Sequence, residues 1–352
     1  MIKKKKISSL KKFAVATLAI ALLSLFGMGI SLYEKIYSPN VTIINDKQYL
    51  FVPTGCTFNQ VITIIKENKV VMNTETFRWV AEQMNLPSHI LPGRYEVKPG
   101  MSNFALVKLL RSGKQAPLKV VINKFRLKIE FAEFIASKLE IDKHVFEELL
   151  ADEAQLSKFG FTPETVMCCF IPNTYEFYWN TSPLKFLERM KNEYDLYWND
   201  NRKKQAVQSG LSLTEVCILA SIIEEETNRN DEKPLIASVY LNRLKKGMML
   251  QADPTIKFAV GDFSIRRVTG FYINETKNSP YNTYRKQGLP PGPICTPSNT
   301  SIESVLQPTQ TDYLFFCASI SNPGYHEFAS NYSEHQKNAR LYQRYLNKKG
   351  IH

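Results

Sequence analysis

Histidine is scarce in this 352-residue chain, with five residues at 89, 144, 326, 335 and 352. No HExxH stretch and no His/Cys cluster accompanies them, so neither a metal site nor a cofactor is expected. The six cysteines (56, 168, 169, 217, 295 and 317) form no CxxC pair and keep no regular spacing. Cys217 and Cys317 lie inside apolar runs, and the set reads as buried free thiols rather than a disulfide framework. Only one apolar run is long enough to span a bilayer, which excludes a polytopic membrane protein. With 44% hydrophobic and 22% charged residues, the chain is neither wholly disordered, nor collagen-like, nor a disulfide mini-scaffold. Its length leaves room for about two domains.

Acidic residues are absent from the first 33 positions, where Lys3, Lys4, Lys5, Lys6, Lys11 and Lys12 supply half of the net charge of +12. Taking those six from the 45 basic residues leaves 39 against 33 acids, a mildly basic body. That surface suits a cell wall or lipid headgroups, and no nucleic-acid partner is expected. Residues 13–33 carry no charge in 21 positions. As a helix they cover the roughly 30 Å hydrocarbon core of a bilayer. Glu34 and Lys35 make a poor cleavage context, which favours an uncleaved anchor over a cleaved signal. The lysines precede the span, so residues 1–12 should stay in the cytoplasm and the body should be exported. The expected location is the inner (plasma) membrane, single-pass, with the C-terminal body in the periplasm or otherwise outside the cytoplasm.

Residues 40–118 read as a small α+β module. Strands are predicted at 41–44, 49–52, 94–97 and 118–122, and helices at 58–66, 75–84 and 104–110. Ser102 is a candidate N-cap and Gly113 a helix stop. Such a unit serves either as a binding module or as a spacer. Residues 119–205 form a mostly helical connecting subdomain, with helices at 129–139 and 144–150. An aromatic loop at 168–182 interrupts it, and its Tyr175, Phe177, Tyr178 and Trp179 read as core rather than as a sugar platform.

Residues 206–348 carry the chemistry. Ser212 and Glu215 form a capping box that opens a helix buried on nearly all sides up to Ile223. Glu224, Glu225 and Glu226 follow, pointing in three directions at 100° per residue. Glu226 continues the row Val216, Leu219, Ile223, so it lies on a core face where that face can open into a cleft. Burial raises a carboxyl pKa, which suits a general acid; a charged helix end is the plain alternative. A second helix starts near Asp231 and runs to Gly247, with Pro234 in its first turn. The stretches 248–261, 279–299 and 322–328 read as loops. They supply Gln251, Asp253, Tyr281, Asn282, Tyr284 and His326 as a polar lining for sugar hydroxyls and amides.

The ordered set ASIIEEETNRN, IASVYLNRLKKGMMLQADPT, SPYNTY, GLPPGPICTPSNTSI, PTQTDYLFF and HEF resembles the endolytic murein transglycosylase family (MltG, YceG-like). LPGRYEVKPGMS and LLRSGKQAPLKVVI resemble that family's LysM-like module. The likeness covers about residues 45–346. It implies an α+β protein with a membrane helix, a LysM-like module at 40–118 and a YceG-like catalytic domain at 206–348. It also implies lytic cleavage of the β-1,4 bond between N-acetylmuramic acid (MurNAc) and N-acetylglucosamine (GlcNAc) of nascent peptidoglycan strands, beside penicillin-binding synthases. Glu226, the last acid of the E-x-E-T motif, would be catalytic. Glu224 would support the site, and Glu225 would face solvent. Asn173 stands where the family usually has Asp. His335 is expected to pack, and the prolines of LPPGP to shape a cleft wall. A non-catalytic wall-binding scaffold and a glycoside hydrolase are the competing readings.

Overall fold

The computed structural model describes residues 2–42 and 48–348, so part of the predicted strand at 41–44 lies outside the described residues. The chain is a helix-rich α+β protein of two units. One comprises Met1–Leu118 with Phe177–Asn180, and the other Lys119–Glu176 with Thr181–His352.

The first unit begins with α1 (Ile2–Tyr37), whose portion Lys11–Tyr37 is long and apolar enough to cross a membrane. Leu23 and Phe26 leave 70% and 69% of their surface uncovered. An apolar helix without protein around it calls for an apolar solvent. Its C-terminal end is docked. The Asn103 amide donates to the Lys35 carbonyl at 2.8 Å and Asn40 donates to Asn103 at 2.6 Å.

Strand β1 (Gln48–Val52) pairs antiparallel with β2 (Gly93–Val97), with Gln48 opposite Val97. Between them run α2 (Phe58–Glu67) and α3 (Thr74–Gln83), and α4 (Asn103–Ser112) follows. Thr57 and Gln60 form a capping box on α2, Ser102 caps α4, and Gly113 ends α4 in the left-handed region at φ 64°. Leu50, Val52, Ile65, Phe77, Tyr95 and Leu106 meet in one core. Val41 makes an isolated bridge to Val71.

The second unit opens with β3 (Leu118–Ile122), which pairs with β4 (Asn173–Phe177). Helices α5 (Lys128–Lys138), α6 (Lys143–Leu149) and the short α7 (Glu153–Leu156) lie between them. Phe131 packs on Phe170 at 4.3 Å, and Tyr175 and Phe177 are buried as the sequence suggested. Of the short return to the first unit, Tyr178 is an exception at 55% exposed, and Trp179 meets Phe51 edge-on within that unit. Next come α8 (Pro183–Tyr197), α9 (Asp200–Ser209) and α10 (Leu213–Glu226). The capping box of Ser212 and Glu215 starts α10, and every residue from Val216 to Ile223 is buried. Helices α9 and α10 have the apolar content of one span only if joined, but they are bent 76° apart and α10 is core.

Helix α11 (Lys233–Lys245) has Pro234 in its first turn. Helix α12 (Asp253–Val260) occupies a stretch the sequence read as loop. Pro254 fits its first turn, Gly261 closes it at φ 79°, and eight residues are too few to display a helical period. Helices α13 (Gly270–Glu275) and α14 (Asn299–Leu306) precede a hairpin of β5 (Phe315–Ala318) and β6 (His326–Ala329), and α15 (Tyr332–Lys348) ends the unit. All six cysteines are free thiols, and Cys168, Cys169, Cys217 and Cys295 are buried.

Candidate active site

The last turn of α10 projects three consecutive carboxylates about 100° apart, and each meets different partners. Glu224 Oε2 accepts hydrogen bonds from the Ser298 and Ser301 hydroxyls, both at 2.5 Å, and from Lys233 Nζ at 3.0 Å. Burial pushes this carboxyl up, but the hydroxyl donors and the Lys233 cation outweigh it and hold the pKa below the ordinary value. Glu224 therefore ties α10 to the start of α11 and α14.

Glu225 does not face solvent. Arg126 grips it with Nε at 2.9 Å and Nη2 at 2.8 Å, Lys124 lies at 3.2 Å, and 12% of the side chain is exposed. Burial again raises the carboxyl, and these cations with the Arg126 hydrogen bond bring it below its usual range. The sequence expectation failed because the partners come from a segment about a hundred residues upstream, which helical spacing cannot reveal.

Glu226 accepts a hydrogen bond from the Tyr240 hydroxyl on α11. Burial pushes its pKa to about 7. The Tyr240 bond opposes this, the nearby Asp253 carboxyl adds to it, and the charges of Lys257 and Arg243 oppose it. Among the described residues Glu226 forms no salt bridge, unlike its two neighbours. It lines a cleft of about 560 Å³ together with Gln251, Asp253, Tyr284 and His326. A second lobe of about 590 Å³ shares Glu226, Ala318, His326 and Tyr342 with it and is also walled by Asn228, Arg229 and Tyr325. The acid thus stands where two lobes meet.

Local structure explains how the wall residues are held. Asp253 begins α12 and accepts from the Tyr284 hydroxyl at 2.5 Å, and burial raises its carboxyl too. Gln251 sits at φ 50°, a left-handed conformation that costs a non-glycine residue roughly 1–3 kcal/mol. Its backbone N–H is fixed to the Thr283 carbonyl at 3.1 Å. Arg243 donates to the Leu314 and Leu250 carbonyls, each at 2.6 Å, which pins β5 and the 250–253 segment to α11.

The YceG-like family model matches residues 50–341. The chain belongs to the YceG-like family. It is 29% identical over 332 residues to the endolytic murein transglycosylase of Bacillus subtilis strain 168, which covers 90% of this chain and 89% of that protein. The Streptococcus pneumoniae D39 protein of the same name is 26% identical over 84% of this chain, which spans 58% of that relative's length. A solved yceG-like protein from Listeria monocytogenes superposes with a TM-score of 0.55 at 28% identity, covering 83% of this chain and 98% of that one.

Not every residue singled out in this YceG-like chain reaches the cleft. Asn282 is fully buried. Its amide donates to the Ile273 carbonyl at 2.8 Å and to the Thr276 hydroxyl at 2.9 Å, and its Oδ1 accepts from the Tyr284 N–H at 3.0 Å. It shapes the loop that presents Tyr284. Tyr281 packs on Phe258 at 4.7 Å, outside the cleft. The LPPGP turn lines neither lobe, and Gly292 lies so close to the Glu164 carbonyl that a Cβ would come within 2.1 Å of it. Asn173, at the start of β4, lines neither lobe and bonds to the Thr174 N–H at 2.8 Å. His335 does pack, stacked on Phe315 at 5.0 Å, but it also forms part of the cleft wall. Sequence reasoning missed Tyr240, because a tyrosine in an apolar helix reads as core. It missed Glu232, which contacts His326 from 94 residues away. It also missed Arg266 and Arg267 in a stretch without periodicity.

Proposed function

We propose that this chain is a lytic murein transglycosylase that cuts the MurNAc-β-1,4-GlcNAc bond within nascent glycan strands and so ends their elongation. The observation that carries the reading is Glu226, a carboxyl with a pKa of about 7 set between two open lobes. Relatives named endolytic murein transglycosylase support it.

The chemistry follows from one proton. Burial keeps Glu226 protonated up to about neutral pH, so it can donate to the glycosidic oxygen as the C1–O4 bond breaks. The MurNAc C6 hydroxyl then forms the new bond to C1, and its proton returns to the Glu226 carboxylate. The products are a 1,6-anhydroMurNAc end and a free GlcNAc 4-hydroxyl, and no water is consumed. Tyr240 occupies Oε1 and leaves Oε2 for the substrate. One carboxyl suffices because the nucleophile belongs to the sugar, whereas ordinary glycosidases need two. Lobes on both sides of the acid suit cleavage inside a strand. Gln251, Asp253, Tyr284 and His326 are proposed to bind the sugars, and Glu224 to support the site.

The exposed apolar helix α1 is proposed as a single-pass anchor, with the body outside the cytoplasm beside peptidoglycan synthases. Residues 40–118 are proposed as a LysM-like glycan-binding module, 119–205 as a connecting subdomain and 206–348 as the catalytic YceG-like domain. Mass spectrometry of murein treated with the full-length protein tests the activity. Anhydromuramyl ends are expected. Reducing ends would mean hydrolysis, and binding without cleavage would mean a scaffold.

A further inference from the structure

Glu232 is buried at the N-terminal edge of α11, and the reaction above gives it no role. Its Oε1 accepts the His326 backbone N–H at 2.7 Å and its Oε2 lies 3.0 Å from His326 Nδ1. These two contacts fix both the place and the rotation of the imidazole. Phe316 meets the ring edge-on at 5.2 Å, and Phe316 in turn meets Tyr240, the partner of Glu226, edge-on at 5.7 Å. A carboxylate can only accept, so Nδ1 carries the proton towards Glu232. In the neutral ring Nε2 then keeps its lone pair. His326 lines both lobes, as Glu226 does.

We infer that Glu232 is a positioning residue that holds His326 as the Nδ1–H tautomer, so that Nε2 accepts a hydrogen bond from a glycan hydroxyl or acetamide N–H where the strand passes between the lobes. The inference rests on the glycan-cleaving reading above. It assigns the buried pair to substrate orientation, with the proton transfers left to Glu226. The arginines of the two lobes (229, 243, 266 and 267) only donate. Gln251 and Asp253 offer acceptors in the first lobe only, and a histidine of fixed tautomer adds one that lines both lobes.

Glu232→Gln tests this. The glutamine oxygen can still accept the His326 backbone N–H, while its NH₂ faces Nδ1. The ring then turns to the Nε2–H tautomer and presents a donor in place of an acceptor. The full-length protein, labelled with ¹⁵N-histidine in detergent micelles at pH 8, reports the tautomer directly, because the chain has only five histidines. The His326 signals are assigned with His326→Gln. Wild type should show Nδ1–H and Glu232→Gln should show Nε2–H. KM for glycan strands should rise about 10–100-fold in Glu232→Gln, because a glycan donor then meets a donor and is left unsatisfied, with kcat changing far less. An unchanged tautomer, or a switched tautomer with unchanged KM, overturns the inference. If Glu232→Gln does not fold, His326→Gln carries the test: it should raise KM similarly, and an unchanged KM overturns the inference. A wild type that makes no anhydromuramyl ends would overturn the reaction instead. Tautomer and co-sedimentation with murein would then decide the pairing by themselves.

Discussion

The Tyr240 hydroxyl donates to Glu226 Oε1 from the neighbouring helix α11. Tyr240 is almost fully buried, and burial together with the adjacent Glu226 carboxyl pushes its own pKa well above the ordinary phenol range. It therefore remains a donor throughout the working pH range. Its bond favours the ionised form of Glu226 and limits the rise that burial imposes.

Tyr240→Phe keeps the ring packed on Phe316 and removes only the hydroxyl. Hydrogen bonds to charged groups are worth about 1.5–3 kcal/mol, or roughly one to two pKa units. The pKa of Glu226 should rise by that amount. The wild-type rate should fall as pH rises above about 7, and in Tyr240→Phe this fall should move upward. A pH–rate profile on glycan strands reads both, and an unmoved limb would contradict the coupling.

Glu226→Gln should abolish anhydromuramyl product in a folded protein, since in the proposed reaction one residue supplies both acid and base roles, each worth roughly 10²–10⁴-fold. It also has a stability signature. The folded protein binds this proton with a pKa of about 7, against 4.5 in the unfolded chain. Folding takes up a proton between those values, so stability is highest below the lower one and falls as pH rises through the upper. The loss is on the order of 3 kcal/mol. Thermal melts at pH 5 and pH 8 should therefore show a smaller drop for Glu226→Gln than for wild type. Parallel drops would falsify the picture of a buried, protonated acid.

Glu225→Gln should not be silent. It removes the charge that Arg126 and Lys124 share and should cost about 1–3 kcal/mol, visible as a melting point lowered by several degrees. Restoration by a charge-reversed pair at 126 and 225 would identify the ion pair as the cause. A melting point equal to wild type would exclude it.

Glu224→Ala should be the most damaging of the three. It leaves the Lys233 cation, 4% exposed at its side chain, without its carboxylate, and breaking a buried pair costs about 3–5 kcal/mol. Soluble expression and denaturant midpoints measure this. A stable Glu224→Ala protein would mean that Ser298, Ser301 and Lys233 find other partners.

Local chemistry was legible in the sequence wherever the cause was local. The Ser212 capping box, the Ser102 cap, the Gly113 stop and the buried run to Ile223 all depend on residues within a turn or two of one another. The position of Glu226 at the end of that run followed from the same spacing. The fate of Glu225, the tyrosine on Glu226 and the carboxylate behind His326 depend on partners 99, 14 and 94 residues away. No periodicity encodes such distances. Asn282 misled for a related reason. An asparagine in a Tyr-rich loop suits a sugar contact, yet its amide is consumed in holding that loop together.

Helix ends ordinarily fray, opening and closing as their last carbonyls lose and regain partners. The final turn of α10 is bolted in three directions at once: to the 124–126 segment by Glu225, to α11 and α14 by Glu224, and to Tyr240 by Glu226. Glu226 thus has the reach of a helix tip, lining both lobes, with the stillness of a helix middle. Loosening any bolt should blur the position of the Glu226 carboxyl as well as lower stability.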